Sequence, residues 1–102
     1  MVKYKVIIDE EAKKDVRLTK DYYNKISPAL KQIFLDDLYH SIDSLKINPF
    51  FQMRYNNIRC LPLKKFPFML HFTINEPETT VSVWGLVSTY LNPADTWVYE
   101  ES

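Results

Sequence analysis

The residues that could do chemistry are concentrated in one short stretch, residues 59–72 (RCLPLKKFPFMLHF). His71 is a candidate general base, because imidazole titrates near neutral pH. Arg59 and Lys65 could stabilise the charge that builds up on a phosphate during RNA cleavage. The three residues are therefore the catalytic candidates for a ribonuclease, provided that the fold brings them to one place.

Each of these residues also has a structural interpretation. Arg59 either contacts a phosphate or another target, or forms an ion pair with an acidic neighbour at a sheet edge. Lys64 and Lys65 occupy a turn, where they are either solvated or in contact with an acidic partner. Cys60 is predicted to be a small buried hydrophobic residue rather than a nucleophile, since no His or Asn is placed to activate it.

The composition indicates one soluble globular domain over residues 1–102. Hydrophobic residues make up 46% of the chain and charged residues 25%, which are ordinary proportions. The 13 Lys and Arg balance the 13 Asp and Glu, and a net charge of zero argues against direct binding of nucleic acid. One cysteine and two histidines predict no internal disulfide, no metal site and no cofactor. The N-terminal apolar run is too short for a signal peptide or a membrane span, which predicts a cytoplasmic protein without a membrane partner.

Hydrophobic periodicity predicts two consecutive helices between strands. A first strand is predicted over residues 2–8, and Asp9 then provides an N-cap for the first helix. The sequence ISP ends that helix, and Ser27 and Pro28 are suited to begin the second, which runs to about residue 47. A loop is predicted over residues 48–56. Strands follow at roughly 57–63, 67–75 and 79–88.

This β-α-α-β-β-β order predicts an α+β fold, in which a two-helix hairpin packs on one face of a four-stranded, mostly antiparallel sheet. The other face of the sheet is then open and is the expected place of function. Met69 and His71 alternate with Phe68, Leu70 and Phe72, so they are predicted to point onto the open face.

Three smaller predictions follow from local sequence. Pro62 cannot donate a hydrogen bond to a ladder, which places its strand at a sheet edge. Asp36 and Asp37 are adjacent on a helix and diverge, which predicts a solvated face. The apolar residues of the 48–56 loop either close one end of the core or, if exposed, form a binding patch.

Four segments of the chain, in the right order, resemble a known family. YKVIIDEEAKKDVRLTKDYY resembles its first strand and helix, with Ala12 and Asp15 in characteristic places, and SLKINP resembles the end of its second helix. IRCLPLKKFPFMLHFTI resembles its arginine-led hairpin, and VWGLVSTYLNPADTW resembles its last strand, with Pro93 and Trp97 in place. The family is the RelE/ParE superfamily of toxins from type II toxin–antitoxin pairs, also called plasmid-stabilisation proteins, and the resemblance covers residues 3–97.

The resemblance implies a RelE/ParE-like fold, a cytoplasmic bacterial toxin and a cognate antitoxin as partner, with ribosome-bound mRNA or DNA gyrase as the target. RelE-like ribonucleases need basic residues on the open face of the sheet. At the matching positions this sequence has Cys60, Pro62, Met69, Ser88, Tyr90 and Leu91. The resemblance therefore favours a ParE-like toxin that acts by binding rather than by catalysis. The alternatives are a diverged ribonuclease and a toxin fold that has lost its activity.

The predicted contacts with the target or the antitoxin lie in the hairpin and in the C-terminal segment. They are Arg59, Lys64, Lys65, Met69, His71, Tyr90 and Trp97. An antitoxin segment that folds on binding is expected to hold the helices and the sheet, partly through helix-in-groove contacts. Because family toxins are usually basic and this chain is neutral, hydrophobic anchoring should matter more than electrostatic steering. A homodimer is also compatible with the sequence.

Overall fold

The computed structural model describes residues 3–51, 53–55 and 57–89, and its elements follow the predicted order with one addition. They are β1 (Lys5–Ile8), α1 (Glu10–Ile26), α2 (Pro28–Ile47), β2 (Met53–Tyr55), β3 (Ile58–Pro62), β4 (Phe68–Asn75) and β5 (Thr80–Ser88). The added strand is β2, which lies inside the predicted loop. Three residues are too few to produce an alternating pattern that the sequence could reveal.

Within the described residues, the five strands form one sheet in the order β1-β5-β4-β3-β2. β1 is parallel to β5, and the other neighbours are antiparallel. The predicted α+β fold with a helical pair on a mostly antiparallel sheet is confirmed. The prediction that Pro62 lies in an edge strand is wrong, because β3 lies between β4 and the edge strand β2. β2 pairs only with the first two residues of β3, so among the described residues no strand pairs with Pro62 on that side, and the proline interrupts no ladder there.

The two helix starts are fixed by the predicted caps. The Asp9 carboxylate accepts a hydrogen bond from the Glu11 N–H at 3.1 Å. The Ser27 hydroxyl accepts from the N–H groups of Ala29 and Leu30, at 3.2 and 3.4 Å, and Pro28 follows it as the first residue of α2. Each cap satisfies backbone donors that have no partner within the helix. The described helices are not long and apolar enough to cross a membrane.

The main core lies between the helices and the sheet. Its largest fully buried side chains are Phe34, Leu38, Leu45, Leu70, Phe72, Val81 and Val83. A second, smaller cluster of buried residues consists of Cys60 and Met69. Strand alternation places this second cluster on the face of the sheet turned away from the helices, which we term the outer face. The sheet therefore buries side chains on both faces, with most of the buried volume on the helical side.

Candidate functional site

The structure does not bring the three catalytic candidates together. The Cα of Arg59 pairs with that of Phe72, and the Cα of Cys60 pairs with that of His71. Residues opposite each other on neighbouring strands point to the same face. Arg59 therefore shares the helical side of the sheet with Phe72, whereas His71 lies on the outer face. Lys65 stands beyond the ends of both strands, in the turn between β3 and β4.

Arg59 binds its own chain. Its Nη1 donates a hydrogen bond to the carbonyl oxygen of Phe51 at 2.7 Å. Its guanidinium carbon lies 5.4 Å from the centre of the Phe50 ring, within the range of a cation–π contact. These two contacts fasten the segment after α2 to β3. These contacts, rather than the predicted ion pair, are what the described residues provide for Arg59, and the contact of Arg59 with a target stays a prediction.

The turn that carries Lys64 and Lys65 is fastened to α2 by Asp37. The Asp37 carboxylate accepts the N–H of Lys64 at 3.3 Å and that of Lys65 at 2.8 Å. Asp37 is buried, so the predicted solvated face is wrong for this residue. Its neighbour Asp36 is exposed and accepts a hydrogen bond from Gln32. The side chains of the two lysines remain exposed, and Lys64 Nζ lies 3.4 Å from His40 Nε2.

His71 and Met69 occupy the predicted face but are not accessible on it. His71 is 6% exposed and Met69 is 4% exposed, although the sequence predicted that they point onto an open face. A general base must reach its substrate within hydrogen-bonding distance, so burial limits His71 in that role. Two other predicted contact residues, Tyr90 and Trp97, lie outside the described residues.

A groove that the sequence analysis did not localise opens between α1 and α2. Its volume is about 400 Å³, and its lining is mostly apolar. Leu70, Val83 and Leu86 of the sheet form the floor. Leu35, Leu38, Tyr39 and Ile42 line the α2 side, at the spacing of one helical face. We term this feature the inter-helix groove.

The α1 side of the inter-helix groove combines small apolar residues with cations. Ala12 and Val16 lie towards the floor, where short side chains leave room that larger ones would fill. Lys13, Arg17 and Lys20 also line the groove, at intervals of four and three residues that place them on one face of α1. The Lys13 amine is 3.3 Å from the Glu10 carboxylate. The groove therefore has a basic rim although the whole chain is neutral.

Asp15 holds α1 against β5 beside the groove. Its carboxylate accepts the N–H of Leu86 at 3.2 Å. Burial raises the pKa of this carboxyl above its ordinary value of 3.8, while the hydrogen bond from Leu86 acts in the opposite direction. The irregularity in the pairing of β4 and β5 falls at this point of the sheet. A Cβ at Gly85 would lie 3.3 Å from the same carboxylate oxygen, so the close approach of α1 favours a glycine.

Comparison with known proteins identifies the fold through structure. No family model matches the chain, and no curated protein matches it. A chain of the chromosomal ParDE TA system from P. aeruginosa matches with a TM-score of 0.71 and 17% identity, over 83% of this chain and 95% of that one. A chain of the toxin–antitoxin complex RelBE2 from Mycobacterium tuberculosis matches with a TM-score of 0.57 and 17% identity, over 86% of this chain and 93% of that one. The chain therefore has a RelE/ParE-like fold, as its sequence motifs predicted.

Proposed function

We propose that this protein is the toxin component of a type II toxin–antitoxin module, ParE-like in acting by binding its target and neutralised by a cognate antitoxin. The observation that carries the proposal is the inter-helix groove on a RelE/ParE-like fold. An open groove with an apolar floor is a site that another chain can fill. Plasmid stabilisation and a place in the bacterial cytoplasm belong to the same proposal.

The lining of the groove specifies the antitoxin segment that fits it. A segment with an apolar stripe facing Leu38, Leu70 and Leu86 would bury that stripe on folding. Acidic residues at intervals of three and four would then meet Lys13, Arg17 and Lys20. Hydrophobic anchoring supplies most of the affinity, while the local basic rim supplies the steering that the neutral chain as a whole lacks.

The placement of the candidate residues supports binding rather than cleavage. Phosphate cleavage requires its acid–base and charge-stabilising groups to converge on one reacting centre. Arg59 and His71 lie on different faces of the sheet, and His71 is buried. The target under this proposal is DNA gyrase or the ribosome. A diverged ribonuclease remains the alternative, and it would be eliminated if ribosome-bound mRNA stays intact after incubation with the pure protein.

The test is co-expression with the product of the adjacent open reading frame in a bacterial host. We expect induction of this chain alone to arrest growth, and we expect the paired product to restore growth and to co-purify. A harmless chain that does not co-purify with the paired product would overturn the proposal. A harmless chain that still co-purifies would instead favour a toxin fold that has lost its activity.

The groove can be examined in the same experiment with a charge reversal. Arg17→Glu puts an acidic residue in the basic rim, and we expect it to weaken co-purification without changing the fold. Lys46→Glu is the matched control, since Lys46 is an exposed cation of α2 that does not line the groove. Equal recovery of the partner with both variants would place the antitoxin elsewhere on the toxin.

A further inference from the structure

One edge of the sheet is formed by β1, which among the described residues has a neighbouring strand on one side only, namely β5. The N–H groups of Lys5 and Asp9 each donate to a carbonyl oxygen on the β5 side, at 2.9 Å. Backbone groups alternate in direction along a strand, so Ile7 belongs to the same set. Val6 and Ile8 therefore point their N–H and C=O groups away from β5, along the side that we term the free edge.

The free edge is short because both of its ends are occupied. Before it, the N–H of Tyr4 is already bonded to the carbonyl oxygen of Lys46, near the end of α2, at 2.8 Å. After it, Glu10 begins α1, and the chain leaves the sheet. An incoming strand can therefore bond to the backbone groups of Val6 and Ile8.

We propose that the free edge is the interface of a homodimer, in which β1 of one copy pairs antiparallel with β1 of a second copy. Val6 of each copy pairs with Ile8 of the other, and since each such pair exchanges two hydrogen bonds, the dimer gains four. Pairing Val6 with Val6 would place Ile8 opposite Tyr4, whose N–H is already bonded. Pairing Ile8 with Ile8 would place Val6 opposite the helical Glu10. The available backbone groups thus fix the register, with Ile7 of both copies on the twofold axis.

The side chains of β1 suit this register. Ile7 lies opposite Ser82 on the outer face of the sheet and is 46% exposed, and in the dimer it meets its own copy across the axis. Lys5 and Asp9 stand two residues before and two residues after Ile7, so Lys5 of each copy faces Asp9 of the other. Lys5 is exposed, and the Asp9 carboxylate has capacity beyond the hydrogen bond that its Oδ2 accepts from the Glu11 N–H.

The order of these charges favours a second copy over an unrelated extended segment. Lys5 and Asp9 are of opposite sign and lie equally far along the chain from Ile7, so the strand is complementary to its own antiparallel copy. A uniformly acidic segment would meet Asp9, and a uniformly basic one would meet Lys5, and either contact is unfavourable. The inter-helix groove differs, because the charged residues that line it are all cations.

The dimer would join the two sheets into one continuous sheet. The twofold axis is perpendicular to the sheet, so the helices of both copies lie on the same side. Contact through one short strand per copy buries little area, and a weak, reversible dimer is therefore expected. This inference does not depend on the proposed toxin function, because the chain is tested alone.

Sedimentation of the full chain tests the interface, over a concentration range that spans micromolar dissociation constants. We expect the wild-type chain to dimerise reversibly. Val6→Pro removes a donor that points away from β5, so it spares the ladder with β5 but removes two hydrogen bonds from the dimer, and we expect dimerisation to be abolished. Val6→Ala is the matched control, because it shortens the same side chain and keeps the N–H, and we expect it to dimerise. A wild-type chain that stays monomeric throughout, or equal association of the two variants, would overturn the proposal.

Charge exchange tests the register. Lys5→Glu alone and Asp9→Lys alone each create two like-charge pairs in their own dimer, and we expect each dimer to dissociate roughly tenfold more readily. In an equimolar mixture the heterodimer pairs opposite charges at both positions, and we expect its dissociation constant to return to that of the wild type. Because Asp9→Lys also removes the cap of α1, far-UV circular dichroism checks that each variant is folded. A mixture that associates no better than its separate components would contradict the antiparallel pairing.

Discussion

The two faces of the sheet differ in what they bury and in what they leave accessible. On the helical side, the main core lies directly beneath the inter-helix groove, and the floor residues Leu70, Val83 and Leu86 are themselves buried. On the outer face, the residues that suggested chemistry are buried, while Trp84 is 47% exposed. Of the residues that attract attention in the sequence, Cys60, Met69 and His71 are thus poorly accessible, whereas Lys64 and Lys65 are exposed in their turn. The groove combines ordinary aliphatic residues at its floor with two lysines and one arginine of α1.

The largest expected effect is on the free energy of unfolding, which should fall much more for a substitution on the helical side of the sheet than for one on the outer face. Phe72→Ala removes a fully buried ring from the helical core and should lower the free energy of unfolding by about 3–5 kcal/mol. Trp84→Ala removes a half-exposed ring whose Nε1 donates to the Thr73 hydroxyl at 2.8 Å, and it should cost about 1 kcal/mol. Urea denaturation monitored by circular dichroism measures both. Equal losses would mean that the outer face carries as much of the stability as the helical core.

A second prediction concerns the buried carboxylate that holds the lysine turn to the helical side. Asp37→Ala removes the acceptor for the N–H groups of Lys64 and Lys65 and should cost about 2–3 kcal/mol. Asp36→Ala is the adjacent control, and because Asp36 is exposed it should change stability by no more than about 0.5 kcal/mol. If the two alanine variants unfold at the same urea concentration, Asp37 does not fasten the turn.

A third and smaller effect is expected where α1 approaches the sheet. The added methyl of Gly85→Ala would press on the Asp15 carboxylate, which is already bound to the Leu86 N–H, and should cost about 1 kcal/mol. In an Asp15→Ala background the same substitution should cost less, because its steric neighbour is gone. Thermal unfolding of the wild type, the two single variants and the double variant gives the coupling free energy between positions 15 and 85. Strictly additive losses would show that the close approach is not responsible.

The smallest effect is a dependence of stability on pH that Asp15 produces. Burial raises the pKa of its carboxyl in the folded state above 3.8, so the folded protein holds this proton to a higher pH than the unfolded chain does. Asp15 therefore contributes a loss of stability as pH rises from about 3.8 through the raised folded pKa, and the loss is constant above it. Asp15→Asn should remove this slope while keeping an acceptor for Leu86. If the free energy of unfolding depends on pH in the same way for the wild type and for Asp15→Asn, the pKa of Asp15 is not raised in the folded state.

The elements and their order were predictable because they depend on local patterns. The helix caps at Asp9 and Ser27 and the alternation of β4 can be read within a few residues. The burial of Asp37 was not predicted because the two N–H groups that donate to its carboxylate belong to residues 27 and 28 positions further along the chain. The three-residue strand β2 and the tie from Arg59 to Phe51 likewise depend on tertiary pairing.

The sequence predicted that a groove would bind a partner helix, but it did not predict which residues form the inter-helix groove. The reason is that the lining residues come from five separate elements, namely β1, α1, α2, β4 and β5. The spacing of Lys13, Arg17 and Lys20 was a usable local signal, because it places three cations on one face of α1. A net charge of zero concealed that signal, as a sum over the chain carries no information about how charges are distributed.

The central proposal is that a cognate antitoxin would bind in the inter-helix groove and not on the outer face of the sheet. The most direct test is the dissociation constant for the product of the adjacent open reading frame, measured by titration calorimetry on purified proteins. The triple variant Lys13→Glu, Arg17→Glu and Lys20→Glu should bind at least about a hundredfold more weakly than the wild type, while Trp84→Ala on the outer face should stay within about twofold. An unchanged affinity for the triple variant, or a greater loss for Trp84→Ala, would contradict the claim.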